Sequence, residues 1–242
     1  MSTKENIYKR VRFDLTDQSL ECQLRFASKY GSLYKIKHLV RMQQADINAP
    51  NYSSQTPLII AIKNNKLDSV KLLCKLGANV NYTSDQVYGY CPLHYAAEQE
   101  DGMIIDSLVT FGAKLNSRTF TGCTPLHLAA MKGKYDAVRW LCLNGADVNL
   151  KEFYNGYTPL HYAMIRGHYD VVPILLAFKA NLTDGSQNAT LKGMCSKTLW
   201  TRLQTRRTQP DVLEELCLQA IRKIFLPKTH TEMHRVFHYL HV

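Results

Sequence analysis

The sequence predicts an all-α repeat solenoid made of about five helix–turn–helix units. A short motif containing Pro-Leu occurs four times, and its prolines, at positions 57, 92, 125 and 159, are 35, 33 and 34 residues apart. A second motif, rich in alanine and asparagine, follows each copy after a nearly constant distance. Two motifs that recur together at one period indicate stacked copies of a single structural unit.

The first motif marks the start of a helix. Its four copies are Thr56-Pro57-Leu58, Cys91-Pro92-Leu93-His94, Thr124-Pro125-Leu126-His127 and Thr158-Pro159-Leu160-His161. A threonine side chain can cap the unpaired N–H groups of a first turn, and proline at that turn loses no hydrogen bond. An alanine follows each motif, at 61, 96, 129 and 163, and an earlier copy without proline aligns on Ala27. Residues this small allow the helix to pack closely on its neighbour.

A turn and a second helix complete each unit. Glycines at 31, 133 and 167 stand where a left-handed turn residue is expected after the first helix. The second helix has an apolar stripe, as in Val138-Trp140-Leu141, and ends near the glycines at 77, 112 and 145. The departures are Gln23-Leu24-Arg25 for the proline motif in the first copy, Glu100-Asp101 for a glycine in the third, and Lys179 for the closing glycine in the fifth. We expect the array to end near residue 182.

These motifs resemble those of the ankyrin repeat, in the Thr-Pro-Leu-His opening and in closing segments such as Gly145-Ala146-Asp147-Val148-Asn149. Five copies cover residues 19–182, after an N-terminal extension of residues 1–18. The resemblance implies an array whose loop tips and exposed first-helix side chains form a concave face that binds another protein. No Ser/His/Asp or Cys/His constellation and no glycine-rich phosphate loop accompany the repeats, so we expect neither enzyme activity nor a cofactor.

The concave positions of this sequence are rich in large side chains. The loop and helix positions predicted to bind a partner are Tyr52, Tyr88, Tyr90, Phe120, Met131, Lys132, Tyr154, Tyr157, Ile165 and Arg166. Four polar helix positions belong to the same face, namely Lys63, Asn64, Glu98 and Gln99. Exposed rings of this kind bury a large area at a small entropic cost, which favours a protein or peptide partner. The alternative is that some of these rings only brace neighbouring loops.

Composition narrows the class of partner and the compartment. The net charge of +10 suggests an acidic partner, but the basic residues form no stripe with interleaved aromatics, so nucleic acid is not expected. Seven separate cysteines without a CxxC pair indicate reduced, mostly buried thiols in the cytoplasm, or also the nucleus, rather than a zinc site. We find neither a secretory signal nor an apolar run long enough to cross a membrane.

The histidines form two sets. His94, His127 and His161 share one repeat position, and we expect them to hold loop backbone by hydrogen bonds rather than to bind metal. The second set, at 230, 234, 238 and 241, has a spacing that could place three imidazoles on one helical face. Without a matching carboxylate or cysteine, a titratable surface helix is the preferred interpretation over a zinc site.

A basic connector over residues 183–210 separates the array from an amphipathic segment, residues 211–242. Within it, the spacing Leu213-x3-Cys217-x3-Ile221 followed by Arg-Lys resembles the elongin-binding start of a SOCS box. Its place after the repeats is similar to the ankyrin repeat and SOCS box family. The resemblance implies a helical box that binds elongins B and C through Leu213, Leu216, Cys217 and Ile221, and then recruits a cullin–RING ubiquitin ligase.

The second half of this box departs from the family pattern. Arg235, Val236, Tyr239 and Leu240 resemble its last helix and are the candidate cullin-side residues. The positions of the family's Leu-Pro-x-Pro motif hold His230-Thr231-Glu232-Met233 instead, a departure in the half of the box that would recruit the cullin.

Three functions therefore compete. The leading one is a non-catalytic adaptor that holds an unidentified substrate protein for ubiquitin ligation. The runner-up is an ankyrin scaffold or inhibitor that masks its partner, with residues 211–242 serving as a cap on the last repeat. A third class resembles pathogen ankyrin effectors that end in an F-box-like segment, but no Leu-Pro-x-Glu start is visible in this chain.

Overall fold

The structure, a computed structural model, describes residues 19–84, 88–99 and 101–181. These ranges contain α-helices and one isolated antiparallel bridge between Ser84 and Tyr90, and no β-strand. The predicted all-helical fold is confirmed for this part of the chain. The N-terminal extension, the connector, the box and its candidate elongin- and cullin-binding residues lie outside the described residues.

The helices occur in pairs, each a first helix followed by a second after a short turn. In chain order they are α1 (Leu20–Tyr30), α2 (Leu33–Arg41), α3 (Pro57–Lys63), α4 (Leu67–Lys75), α5 (Pro92–Ala97), α6 (Gly102–Thr110), α7 (Pro125–Lys132), α8 (Tyr135–Leu143), α9 (Pro159–Arg166) and α10 (Val172–Ala177). None of these described helices has the length and hydrophobicity that a bilayer-spanning segment requires.

The described residues form two compact units, which divide between Lys114 and Leu115. In the first unit, the first helices α1, α3 and α5 pack in one row, and the second helices α2, α4 and α6 pack in another. In the second unit, α7 packs on α9 and α8 on α10. The repeated alanines lie where first helices meet, and the exposed fraction of each of the five is at most 2%. Their small size is what allows this close packing.

Helix starts follow the predicted chemistry. The Thr56 hydroxyl accepts a hydrogen bond from the Ile59 N–H, and proline occupies the first turn of α3, α5, α7 and α9. The third copy, which has Asp101 near the expected glycine, uses this residue differently. The Asp101 carboxylate accepts the Met103 N–H at 2.9 Å and caps α6. The departure from the glycine pattern therefore supplies a cap to the second helix.

The residue that ends each copy of the repeat has a left-handed backbone conformation, whether or not it is glycine. The glycines at 77, 112 and 145 have φ of 94°, 86° and 89°. Gln44 and Lys179, which take the same position in the first and last copies, have φ of 58° and 65°. The repeat geometry therefore imposes a positive φ on these two side-chain-bearing residues, despite its cost for L-amino acids.

Asparagines of the second motif link successive copies. In the first unit, Asn48 Oδ1 accepts the Asn79 N–H at 2.8 Å. Asn81 Oδ1 accepts the Lys114 N–H at 2.9 Å, and Asn81 Nδ2 donates to the Gly112 carbonyl at 3.0 Å. In the second unit, the equivalent bonds join Asn116 to Asp147 and Asn149 to Asn181. The last residue of the second motif is thus a structural link between neighbouring loops.

The buried cysteines act as packing residues. Cys74 and Cys142 occupy equivalent positions in α4 and α8, and both are buried. Burial raises the pKa of each thiol to about 12. Both side chains are therefore neutral at physiological pH and fill small spaces in the core.

Candidate functional site

The three repeated histidines hold the loop ends in place, as predicted. His94, His127 and His161 are fully buried. In each copy, Nδ1 of the ring accepts the backbone N–H of the residue that caps the first helix, at 3.1 Å, 3.1 Å and 3.3 Å respectively. These bonds satisfy backbone groups that would otherwise be buried without a partner.

His127 also fixes the loop of the next copy. Its Nε2 lies 3.0 Å from the Tyr157 carbonyl, so Nε2 carries the proton and donates. Burial lowers the pKa of His127 to about 4, and Arg118 adds to this effect, although the Tyr157 carbonyl and Glu152 oppose it. The ring is therefore neutral at pH 7 and joins two loops.

A buried carboxylate organises the loop of residues 151–157. Glu152 is 4% exposed. One of its oxygens accepts the Tyr154 N–H at 2.8 Å, and the other accepts those of Asn155 at 2.5 Å and Tyr157 at 3.4 Å. Charge-assisted bonds to several amides fix a loop backbone strongly. Glu152 thus sets the backbone from which Tyr154 and Tyr157 project.

Other loops use neutral side chains in the same way. Asn51 Oδ1 accepts the N–H groups of Ser53 and Gln55 at 3.0 Å and 2.9 Å. Thr119 Oγ1 accepts the Cys123 N–H at 3.0 Å. These loop-organising residues were not among the residues predicted from the sequence. The signal was a polar residue five or six positions before the helix cap.

We expect Glu152→Gln to lower the free energy of unfolding by about 2 kcal/mol, because an amide NH2 group must then face backbone N–H donors. Urea denaturation measures this change, and hydrogen exchange of residues 153–158 should accelerate. Asp147→Asn is the matched control, since Asp147 is exposed and needs only one acceptor oxygen for the Asn149 N–H. Equal losses in the two variants would contradict the special role of Glu152.

Phe153 forms a fixed cluster with a cation. Its side chain is 63% exposed, and its ring centroid lies 5.3 Å from the Arg118 guanidinium carbon. Arg118 Nη1 donates to the carbonyls of Gly122 at 3.1 Å and Lys151 at 2.8 Å. A Cβ atom at Gly122 would come within 2.7 Å of the Phe153 ring, so glycine there permits the close approach. Neither Phe153 nor Arg118 was among the binding residues predicted from the sequence.

The predicted binding residues of the second unit divide into exposed and bracing groups. Phe120, Tyr154 and Ile165 are 58%, 76% and 45% exposed, and Lys132 and Arg166 are exposed as well. Met131 and Tyr157 are partly buried. The Tyr157 ring stacks on His161 at 5.5 Å and meets Tyr162 edge-on at 5.8 Å. Tyr157 therefore braces its loop, as the alternative interpretation of these rings foresaw.

The first unit repeats this division. Tyr52 and Tyr88 are 52% and 56% exposed, whereas Tyr90 is partly buried. The Tyr90 ring lies 5.4 Å from both His94 and Tyr95. Tyr90 and Tyr95 thus form the same kind of edge-on ring pair as Tyr157 and Tyr162 in the second unit. For all ten candidate residues, binding itself stays a prediction.

The first copy adds two exposed rings that our sequence analysis omitted. Phe26 and Tyr30 are 59% and 60% exposed, with ring centroids 4.6 Å apart on α1. Aligning the alanines would have placed Phe26 at the register position of Tyr95, and Tyr30 at that of Lys132. They were missed because this copy lacks the proline motif.

Comparison with known proteins agrees with this architecture. The family described as Ankyrin repeats (3 copies) matches residues 24–119 and 99–185. The chain therefore belongs to the ankyrin-repeat family, a class of protein-interaction scaffolds. The matched residues end at 185, so the SOCS-like box stays a prediction.

The chain is also similar to individual ankyrin-repeat proteins. It is 31% identical over 143 residues to the nuclear factor NF-kappa-B p105 subunit of Gallus gallus. The aligned residues make up 58% of this chain and 14% of that relative. It is 33% identical over 110 residues to the human B-cell lymphoma 3 protein, covering 46% and 24%. A putative ankyrin repeat protein of fowlpox virus, FPV031, is 33% identical over 132 residues, covering 53% and 38%. The chain thus spans well under half the length of these relatives.

Proposed function

We propose that this chain is a non-catalytic ankyrin scaffold that holds a partner protein through its loop tips and the exposed last turns of its first helices. The supporting observation is that exposed rings stand on loops whose backbones are fixed by buried polar groups, as with Tyr154 above Glu152. A ring held in place before binding loses little entropy when a partner covers it. We propose the cytoplasm, or also the nucleus, as the place of action.

A photo-cross-linking amino acid tests this proposal. With p-benzoylphenylalanine in place of Tyr154, we expect cross-links to a partner in cells. The same probe in place of Tyr135, on α8 and 37% exposed, serves as the matched control and should give none. The captured protein, once purified, should bind the native chain and lose affinity for a Phe120→Ser, Tyr154→Ser variant. Equal capture at both positions, or unchanged affinity, would refute a binding role for the loop tips.

A second candidate function is that of a ubiquitin-ligase adaptor, favoured by the Leu213-x3-Cys217-x3-Ile221 spacing. In this proposal the repeats hold a substrate while residues 211–242 bind elongins B and C and, through them, a cullin–RING module. The ligase would then act on lysines held at a high effective concentration. Leu213 and Cys217 would anchor the box on elongin C, with Leu216 and Ile221 beside them.

Co-purification distinguishes the two halves of the box. A Leu213→Pro, Cys217→Phe variant should lose elongins B and C completely. A matched Tyr239→Ala, Leu240→Ala variant should keep both elongins and lose only the cullin. Undiminished elongin recovery from the first variant would exclude the adaptor function.

Deleting residues 205–242 separates the adaptor from a scaffold whose C-terminal segment is only a cap. Loss of an elongin-binding box leaves a soluble array that still binds its partner. Loss of a cap exposes apolar repeat surface, so that variant should aggregate. Light scattering and partner binding measured on the truncated chain would decide between the two.

A further inference from the structure

The exposed charges on one face of the second unit are all positive. This face consists of the loops 117–123 and 151–157 and the last turns of α7 and α9. Its exposed charged residues are Arg118, Lys132, Lys151 and Arg166. The single carboxylate in these segments, Glu152, is buried and accepts backbone amides. Within these described segments, every exposed charged side chain is therefore positive.

Direct contacts join the two loops of this face to each other, and its two helices to each other. The Phe153 N–H donates to the Thr121 carbonyl at 2.9 Å, and Arg118 reaches the Lys151 carbonyl at 2.8 Å, so the two loops lie side by side. Helices α7 and α9 pack against each other, and packed helices have axes about 8–10 Å apart. Lys132 and Arg166 are the last residues of these two helices and occupy equivalent register positions. We call the surface of Arg118, Lys132, Phe153, Tyr154, Ile165 and Arg166 the cationic loop face.

We propose that the cationic loop face binds an acidic, extended segment of a partner protein. Carboxylates of that segment would pair with Lys132 and Arg166, and an apolar or aromatic side chain would lie on Phe153 and Tyr154. Arg118 is held by two carbonyls and by the Phe153 ring, so this part of the face is fixed before binding. The inference rests on the proposed scaffold function and adds the chemistry of the partner.

The corresponding positions of the first unit do not share this charge. There the residues at the ends of the first helices are Lys29 and Tyr30 in the first copy, Lys63 and Asn64 in the second, and Glu98 and Gln99 in the third. A mixed set of charges does not select an acidic segment. The preference for acidic partners therefore belongs to the second unit.

A nucleic acid is the other polyanion to consider, and the surface favours it less. Affinity for nucleic acid grows with the number of phosphates neutralised, and the three cations of the cationic loop face provide a short track. The exposed rings of Phe153 and Tyr154 stand at the tip of one loop rather than along a groove that could stack successive bases. Short acidic peptides carrying one apolar anchor match this arrangement better.

Selection from a displayed library of random peptides, each about twelve residues long, on the full chain tests the inference. We expect enrichment of peptides rich in Asp and Glu that carry an aromatic or large aliphatic residue. A synthetic copy of the best peptide should bind at least about tenfold more weakly to a Lys132→Glu, Arg166→Glu variant, and more weakly as salt is raised. A Lys35→Glu, Lys37→Glu variant has the same net charge, with both changes at exposed positions of α2, and should retain affinity within about twofold.

Each other outcome has a definite meaning. If both variants bind the peptide equally weakly, the loss of affinity is due to net charge alone, and the inference is overturned. A second outcome is enrichment of peptides without acidic residues whose binding is lost in a Phe153→Ser, Tyr154→Ser variant. That outcome would overturn the inference but keep the scaffold function. Enrichment that depends on neither site, or none at all, would count against both proposals. Tighter binding of an oligothymidylate with the same variant sensitivity would assign the face to nucleic acid instead.

Discussion

The His127→Ala substitution is expected to lower the free energy of unfolding by about 3 kcal/mol. The substitution leaves the Thr124 N–H and the Tyr157 carbonyl without their buried partner. Each buried polar group that loses its partner costs about 1–3 kcal/mol, and the space vacated by the ring adds a cavity term. Two loops of consecutive copies lose their link at once, so the effect should exceed that of an ordinary surface change.

Urea denaturation of the full chain measures the loss, by linear extrapolation to water. His38→Ala is the control, because His38 is exposed on α2 and its removal should change the free energy by less than about 0.5 kcal/mol. Hydrogen exchange should rise in the loop that contains Tyr157. A His127→Ala variant as stable as the His38→Ala control would show that the ring does not hold the loops.

Mild acid is expected to destabilise the array through the same residue. Burial holds the pKa of His127 at about 4 in the folded chain, against about 6.5 in an unfolded one. Between pH 6.5 and 4, His127 is protonated in the unfolded chain but stays neutral in the folded chain. Stability is therefore fully present above about pH 6.5 and declines as the pH falls towards 4, by about 3 kcal/mol in total. Below pH 4 both states are protonated, and this contribution changes no further.

Free energies of unfolding measured at pH 7, 6, 5 and 4 should show this decline. In His127→Gln the decline between pH 6.5 and 4 should be smaller by about the same 3 kcal/mol, although the variant is less stable throughout. His38→Gln, a change at an exposed position of α2, is the matched control variant. If the decline is the same in His127→Gln as in the native chain, other groups cause the acid sensitivity.

Most of the fold could be predicted because its signals lie close together in the sequence. A cap, a proline, a small residue and a left-handed turn occur within about ten residues of one another, as from Thr124 to Gly133. Each feature depends on local backbone geometry, and repetition at a fixed period multiplies the signal. Even the structural role of His127 followed from its repeated position, although its contact with the Tyr157 carbonyl did not.

The candidate surface could be predicted only in part. Register showed which positions face outward, and it correctly placed exposed Tyr52, Phe120 and Tyr154 at loop tips. It did not distinguish these residues from Tyr90 and Tyr157, whose rings lie against neighbouring rings. The difference arises from packing between side chains of one copy, which the periodicity of a sequence does not record.

The sequence by itself determined the ankyrin array, the start of its proline-bearing helices and the concentration of large side chains at the loops. Only the tertiary structure decided how those side chains are held: by Glu152 under Tyr154, by Arg118 against Phe153, and by asparagines that link loops 30–33 residues apart. Helix caps and turns are local, so adjacent residues specify them. Exposure, bracing and the pairing of charges depend on contacts between successive copies, and those form only when the copies stack.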